Sequence, residues 1–225
     1  MNNLQVLCKR LFDITGAALG LLAFSPAMLL IMVVHKLSSR GPIFYIQPRI
    51  GRGSRIINVI KFRTMVEDGE QYGTITTASD ARITTAGRWL RRLKLDEFPQ
   101  LWNVFVGDMS FVGPRPDVSG YADRLIGQAR DILSLRPGIT GPASLYFKNE
   151  EELLDGADDP KKFNDQMIYP AKVAINLTYL EQWSLLRDIG YIIITLIPVF
   201  DRYLKLVPNN NIDLLVHQGI DACGE

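Results

Sequence analysis

The chain has 225 residues, 47% of them hydrophobic, and a net charge of +1; that length suits one domain with a real core and excludes two of comfortable size. The balance hides a segregation: residues 36–94 carry twelve lysines and arginines against four acids, whereas from residue 96 onward the count is eleven against nineteen. The cations are not interleaved with base-stacking aromatics and no nucleic-acid motif accompanies them, so phosphate or an anionic membrane surface, and no nucleic acid, is the expected partner of the basic half. Cys8 and Cys223 stand at opposite ends without a CxxC, which argues against zinc and against a disulfide framework. The isolated His35 and His217 are not candidates for catalysis.

The first element is the uncharged run "ITGAALGLLAFSPAMLLIMVV", residues 14–34. As a helix it is roughly 31 Å long at ~1.5 Å per residue, enough to cross a bilayer core of about 30 Å. No A-x-A-like cleavage site follows it, which disfavours a secretory signal. Ser25-Pro26 interrupts the run. Proline removes an amide donor in mid-helix, and the Ser25 hydroxyl can bond a freed carbonyl. Lys9 and Arg10 precede the run, and His35, Lys36 and Arg40 follow it. Positive charge on both flanks predicts that both ends stay on the cytoplasmic face, with two half-helices of about ten residues dipping into the membrane and returning. A kinked single span is the alternative.

Residues 41–65 read as short β segments around a Gly51-Arg52-Gly53-Ser54 turn, closing on the basic Lys61-Phe62-Arg63; the stretch holds no P-loop. Residues 67–81 form a polar loop. "TTAGRWLRRLKL" predicts a helix capped by Thr84 or Thr85, with Trp89, Leu90 and Leu93 on an apolar face and Arg88, Arg91 and Arg92 on or near the other side. Residues 117–135 and 163–188 are candidate amphipathic helices. Residues 189–200, cut by Pro198, are too short to span and form a core or interfacial helix.

The chemistry-bearing stretch is "LDEFPQLWNVFVGDMSFVGPRP", residues 95–116. Asp96, Glu97 and Pro99 carry the signature of a helix start, where a carboxylate is kept ionised. Neighbours on a helix do not face one another, so the pair suits separate tasks better than a proton-sharing dyad or a glycosidase pair. With Mg²⁺ held by a carboxylate and arginines nearby, one acid could attack phosphorus while the cations neutralise the spreading charge.

"KRLFDITGAALGLLAFSPAML", "GPIFYIQPRIGRGSRIINVIKFRTM", "GRWLRRLKLDEFPQLWNVFVGDMSFVGPRP" and "LRPGITGPASL" occur in this order between about Cys8 and Phe200. Together they resemble the bacterial sugar transferase family, and within it the small monotopic phosphoglycosyl transferases rather than the large members with extra N-terminal membrane helices. The resemblance implies an α+β, mostly helical fold: a re-entrant membrane helix-break-helix over residues 1–36, a compact cytosolic catalytic domain over 37–208 with short β segments and interfacial amphipathic helices, and a tail, 209–225. It implies transfer of a sugar 1-phosphate from a UDP-sugar to a polyprenol phosphate such as undecaprenyl phosphate, with release of UMP, at the cytoplasmic face of the bacterial inner membrane. By the same resemblance Asp96 is the nucleophile of a two-step course and Glu97 binds Mg²⁺ or positions the lipid phosphate. Metal ligation thus falls to Asp96 and Glu97. Arg91, Lys61 and Arg63 lie at the phosphates, Pro114, Arg115 and Pro116 at the uridine, and Ser25-Pro26 is the membrane break. Phe98 stands where leucine is common, and Phe111 where an aliphatic residue is. The alternatives are a non-catalytic membrane-associated scaffold and a glycosyltransferase releasing UDP. The sugar, the pathway and the oligomeric state are left open, with a homodimer the commonest arrangement.

Overall fold

The structure, a computed structural model, describes residues 3–38, 41–66, 81–200, 206 and 216. Most of the 67–81 loop, His217 and Cys223 lie outside the described residues, as does the 209–225 tail apart from Val216, which is buried.

Helix α1, Asn3–Ser38, runs unbroken through Pro26. The expected break at Ser25-Pro26 thus does not interrupt the helical hydrogen bonding. The physical reason is local: Pro26 cannot donate to the carbonyl of Leu22, and the Ser25 hydroxyl donates to that same carbonyl at 2.8 Å. The window that qualifies α1 as a membrane helix is only 6% buried within the protein. Leu22, Leu29, Leu30, Val33, Val34 and Leu37 all point outward.

The inner face of α1 is bolted to the rest of the chain. Lys9 donates to Asp188, and Arg10 donates to the carbonyls of Val104 and Phe105 at 2.7 and 2.8 Å. Asp13 accepts from the Ser110 hydroxyl and the Phe111 amide at 3.0 and 3.1 Å. The two cations assigned from the sequence to the membrane flank are thus engaged inside the protein. Farther along, the Phe24 ring lies 4.7 Å from that of Phe98, and His35 Nε2 bonds the Arg63 carbonyl at 3.0 Å. Both ends of α1 touch the same folded body.

Strands β1, Phe44–Ile50, and β2, Ile56–Phe62, form the expected antiparallel hairpin in the register Phe44↔Phe62 to Ile50↔Ile56. A two-stranded ribbon has only edge strands, which tolerate Pro48. Helix α2, Thr85–Arg92, is capped by Thr84, whose hydroxyl accepts from the Gly87 amide at 2.9 Å. Its apolar face is not a core face: Trp89 and Leu93 are exposed. Helix α3, Gln100–Val106, follows, and its buried Asn103 docks it on β2 by donating to the Asn58 carbonyl and accepting from the Ile60 amide. Strands β3, Ser110–Val112, and β4, Gly138–Thr140, pair in parallel.

The stretch 117–135 is not an amphipathic α-helix. It forms two 3₁₀ segments, Ala122–Arg124 and Gly127–Ser134, because Asp123 captures the Gly120 amide and the Ser119 hydroxyl, and Gly127 has φ +56°. Helices α4, Pro142–Tyr146, α5, Glu150–Asp155, and α6, Pro160–Phe163, lead through a π turn into α7, Tyr169–Glu181. Helix α8, Leu185–Leu196, has its own N-cap in Ser184, so residues 163–188 are not one helix. It is both core and surface, burying Tyr191 and Ile194 while exposing Leu186, Ile193 and Leu196.

Gly87 is where α2 meets the end of the hairpin. A Cβ there would lie 2.0 Å from the Thr64 carbonyl oxygen, a backbone atom that cannot yield cheaply. Gly87→Ala is therefore expected to displace α2 and to lower kcat/KM on the order of 10²-fold through misplacement of Arg91. Steady-state kinetics of the purified variant check this; unchanged kinetics would show that α2 can shift without consequence.

Candidate active site

Asp96 and Glu97 occupy a 3₁₀ turn, Leu95–Glu97, that enters α3 through Pro99. The residue before the turn, Lys94, is left-handed at φ +57°, a conformation uncommon for a side chain with a Cβ. The α2–α3 corner thereby turns both carboxyls toward β2. Glu97 Oε1 accepts from Lys61 Nζ at 2.9 Å and from a terminal nitrogen of Arg115 at 3.0 Å. The loop bearing Arg115 is placed by an unusually close backbone crossing. A Cβ on Gly113 would lie 2.3 Å from the Arg136 carbonyl oxygen, and one on Gly138 would lie 2.2 Å from the Gly113 nitrogen.

Arg91 reaches across α2 to donate from Nε to the Thr64 hydroxyl at 3.0 Å, and one of its terminal nitrogens lies 3.6 Å from Glu151 of α5. These residues line one groove of about 1910 Å³ with Arg63 and Pro114. Pro116 is not part of the lining; it is buried, and its carbonyl accepts from Arg49 at 3.3 Å. Ser25 and Pro26 also stand away from the groove, which nevertheless reaches α1 at Gly16, Gly20 and Phe24.

The two carboxyls have opposite electrostatics. Burial would raise Glu97, but Lys61 and Arg115 outweigh it and hold the group well below the usual carboxylate range. Burial raises Asp96 and the Glu97 charge adds to it, against the opposing pull of Lys61, Arg91 and Lys94. The helix-start placement is thus opposed at Asp96: the carboxyl sits in a 3₁₀ turn before α3, where burial pushes it up. Farther along the groove, burial pushes Asp117 up to about 6, opposed by Lys172 and Arg49. Arg49, Thr64, Asp117, Lys172, Glu150 and Asn176 line the groove without having been singled out in the sequence. Asn176 carries a legible signal, as a polar residue within the buried run of α7.

Among the described residues no group of three or more histidine, cysteine, aspartate or glutamate side chains could hold a metal. Mg²⁺ needs no such cage: one or two carboxylates, substrate phosphates and water suffice. Asp96 and the Glu97 oxygen not engaged by Lys61 and Arg115 fit that requirement.

A buried aspartate beside a half-buried glutamate that is paired with two cations, in a groove that reaches an apolar helix, suits an enzyme acting on phosphates. Residues 4–202 match the family model described as bacterial sugar transferase, and the chain belongs to that family. It is 38% identical over 200 residues to the undecaprenyl-phosphate glucose phosphotransferase of Komagataeibacter xylinus, covering 85% of this chain but only 36% of that protein. It is 35% identical to the exopolysaccharide production protein ExoY of Rhizobium meliloti, with 81% of each chain covered. A third relative, from Aeromonas hydrophila, is a UDP-N-acetylgalactosamine-undecaprenyl-phosphate N-acetylgalactosaminephosphotransferase, 34% identical over 80% of this chain and 41% of its own length. The chain thus spans about a third of the first relative and most of the second.

Proposed function

We propose that the protein transfers a sugar 1-phosphate from a UDP-sugar to undecaprenyl phosphate at a membrane surface, releasing UMP. The observation that carries this reading is the division of labour in the pair. Glu97 is matched by Lys61 and Arg115, while the buried Asp96 has no such partner among the hydrogen bonds and ion pairs of the described residues.

In the first step an Asp96 carboxylate oxygen bonds to the β-phosphorus. The bond from that phosphorus to the bridging oxygen breaks, and UMP departs with the electron pair. In the second step an oxygen of the lipid phosphate attacks the same phosphorus and Asp96 leaves as a carboxylate, a ping-pong course. Lys61, Arg115 and Arg91 stand where they can neutralise the phosphoryl oxygens, and Glu97 keeps the first two aimed into the groove. Mg²⁺ bound at Asp96 and Glu97 would supply further charge neutralisation on the diphosphate.

Purified protein with Mg²⁺, undecaprenyl phosphate and a panel of UDP-sugars is expected to release UMP from at least one of them. UDP in its place would establish a glycosyltransferase, and no nucleotide from any sugar would favour the scaffold reading.

The proposed membrane placement rests on α1. Its outer face is apolar, while Lys9 at one end and His35 at the other contact the body that carries the site. That supports a helix that enters and leaves on the cytoplasmic side. The exposed Trp89, Leu93, Trp102 and Phe105 supply an apolar surface for the interface. Exposed Cys8 is a native probe. In a Cys223→Ser background a membrane-impermeant maleimide is expected to label it in inverted inner-membrane vesicles and not in spheroplasts; the reverse pattern would mean that α1 spans.

A further inference from the structure

One face of α7 forms a wall of the groove through Tyr169, Lys172, Val173 and Asn176, spaced as neighbours on a single helical face. Asn176 is 5% exposed, and its Oδ1 is fully buried without a hydrogen-bond partner among the described residues. A buried amide oxygen left unpaired is destabilising, and asparagine is not an economical way to fill an apolar helix interface. Its two amide ends exchange by a half-turn, so either a donor or an acceptor can face the groove. One turn earlier Lys172 is held by Glu150 at 2.6 Å, and Asp117 lies within the field of Lys172. This stretch of wall therefore mixes donors and acceptors with paired charge. It differs from the cationic cluster of Lys61, Arg91 and Arg115, and it suits a neutral group bearing several hydroxyls better than a phosphate.

Resting on the proposed transferase reading, we infer that Asn176, with Lys172 beside it, binds the sugar of the UDP-sugar and sets which sugar is accepted. The relatives named for glucose and for N-acetylgalactosamine are 38% and 34% identical to this chain. Sugar choice within the family thus varies on one scaffold, as it would if a few wall residues decided it.

The test uses Asn176→Leu, which keeps the volume and removes the amide, and Asn176→Ala as a second variant. Both are built in full-length Asp96→Asn protein so that the nucleotide sugar stays intact. Thermal denaturation is recorded without ligand and with UMP, UDP or each UDP-sugar. Without ligand, Asn176→Leu is expected to melt about 2–4 °C higher than its parent, because an orphaned polar group is gone. A structural asparagine would give the opposite sign. The extra stabilisation by the preferred UDP-sugar over UDP is expected to vanish in both variants, while stabilisation by UDP itself is kept. In the Asp96 background kcat/KM for that sugar should fall about 10–100-fold, the worth of a lost hydrogen bond to a buried group.

Retention of the sugar-dependent increment in both variants would overturn the inference. So would an equal loss with UDP, which would assign the wall to the uridine. Failure of every UDP-sugar and of UDP to stabilise the parent would instead overturn the transferase reading itself.

Discussion

Asp96→Asn is expected to lower UMP release at least on the order of 10³-fold while leaving nucleotide binding largely intact. The amide has the shape of the carboxyl but no anionic oxygen to attack phosphorus, and Glu97, the other carboxylate of the 3₁₀ turn, is engaged by Lys61 and Arg115. Binding survives because the two cations closest to the pair, Lys61 and Arg115, are held by Glu97. Incubation with a UDP-sugar labelled in the sugar, followed by acid quench, should trap label on the wild-type protein and none on the variant; label on the variant would assign the nucleophile elsewhere. The wild-type pH profile carries a further signature. Asp96 must be deprotonated to attack, and burial raises its pKa. Activity is therefore present above that raised value and lost as pH falls through it, at a pH above the ordinary aspartate range. Glu97 titrates in the opposite direction, far below the usual range, and Asp117 is pushed up to about 6, so an acid limb that persists in Asp117→Asn belongs to Asp96.

Asp188→Ala is expected to be the most destabilising single change outside the groove. Asp188 is fully buried and accepts from Lys9, from the Tyr179 hydroxyl at 2.7 Å and from the Trp183 indole nitrogen at 3.0 Å. Its removal strands an ammonium that is itself only 7% exposed, together with two polar donors. Breaking a buried pair from one side costs about 3–5 kcal/mol, a large share of a total stability of roughly 5–15 kcal/mol. At about 2–4 °C per kcal/mol for a chain of this size, the melting temperature in detergent should fall by roughly 10 °C. The paired replacement Lys9→Met with Asp188→Leu should recover much of the loss, since it removes both charges. A fall of less than 2 °C in Asp188→Ala would show that the pair is hydrated and weak.

Several elements of the fold were legible because local chemistry dictates them. Thr84 announces the start of α2, the Gly51–Ser54 turn announces the hairpin, and Ser25 stands one residue before the proline whose missing donor it replaces. What escaped the sequence was settled by distant partners. Lys9 and Arg10 read as membrane-flanking charge, but they find Asp188 and the last carbonyls of α3. The upward push of burial on Asp96 could not be read from a helix-start pattern, because burial depends on chain segments far away in sequence. Trp89 and Leu93 have the spacing of a core stripe, and only the fold shows that they are exposed. Phe98 and Phe111, which read as minor departures from a family pattern, are contacts for α1: Phe98 meets Phe24, and Phe111 meets Phe12 and lies against Gly16.

The contact between Lys9 and Asp188 joins positions 179 residues apart. During synthesis the lysine is made first, and its carboxylate emerges only after the hairpin and α7 have been made. Until then the N-terminal helix carries a charge that the finished protein hides from water. Loop closure over such a separation is slow compared with the local steps that form α2 or the hairpin. The arrival of α8 thus adds a buried ion pair to the contacts that Arg10, Asp13 and His35 already make between α1 and the body. A chain halted before that point can seat α1 but leaves Lys9 without its carboxylate.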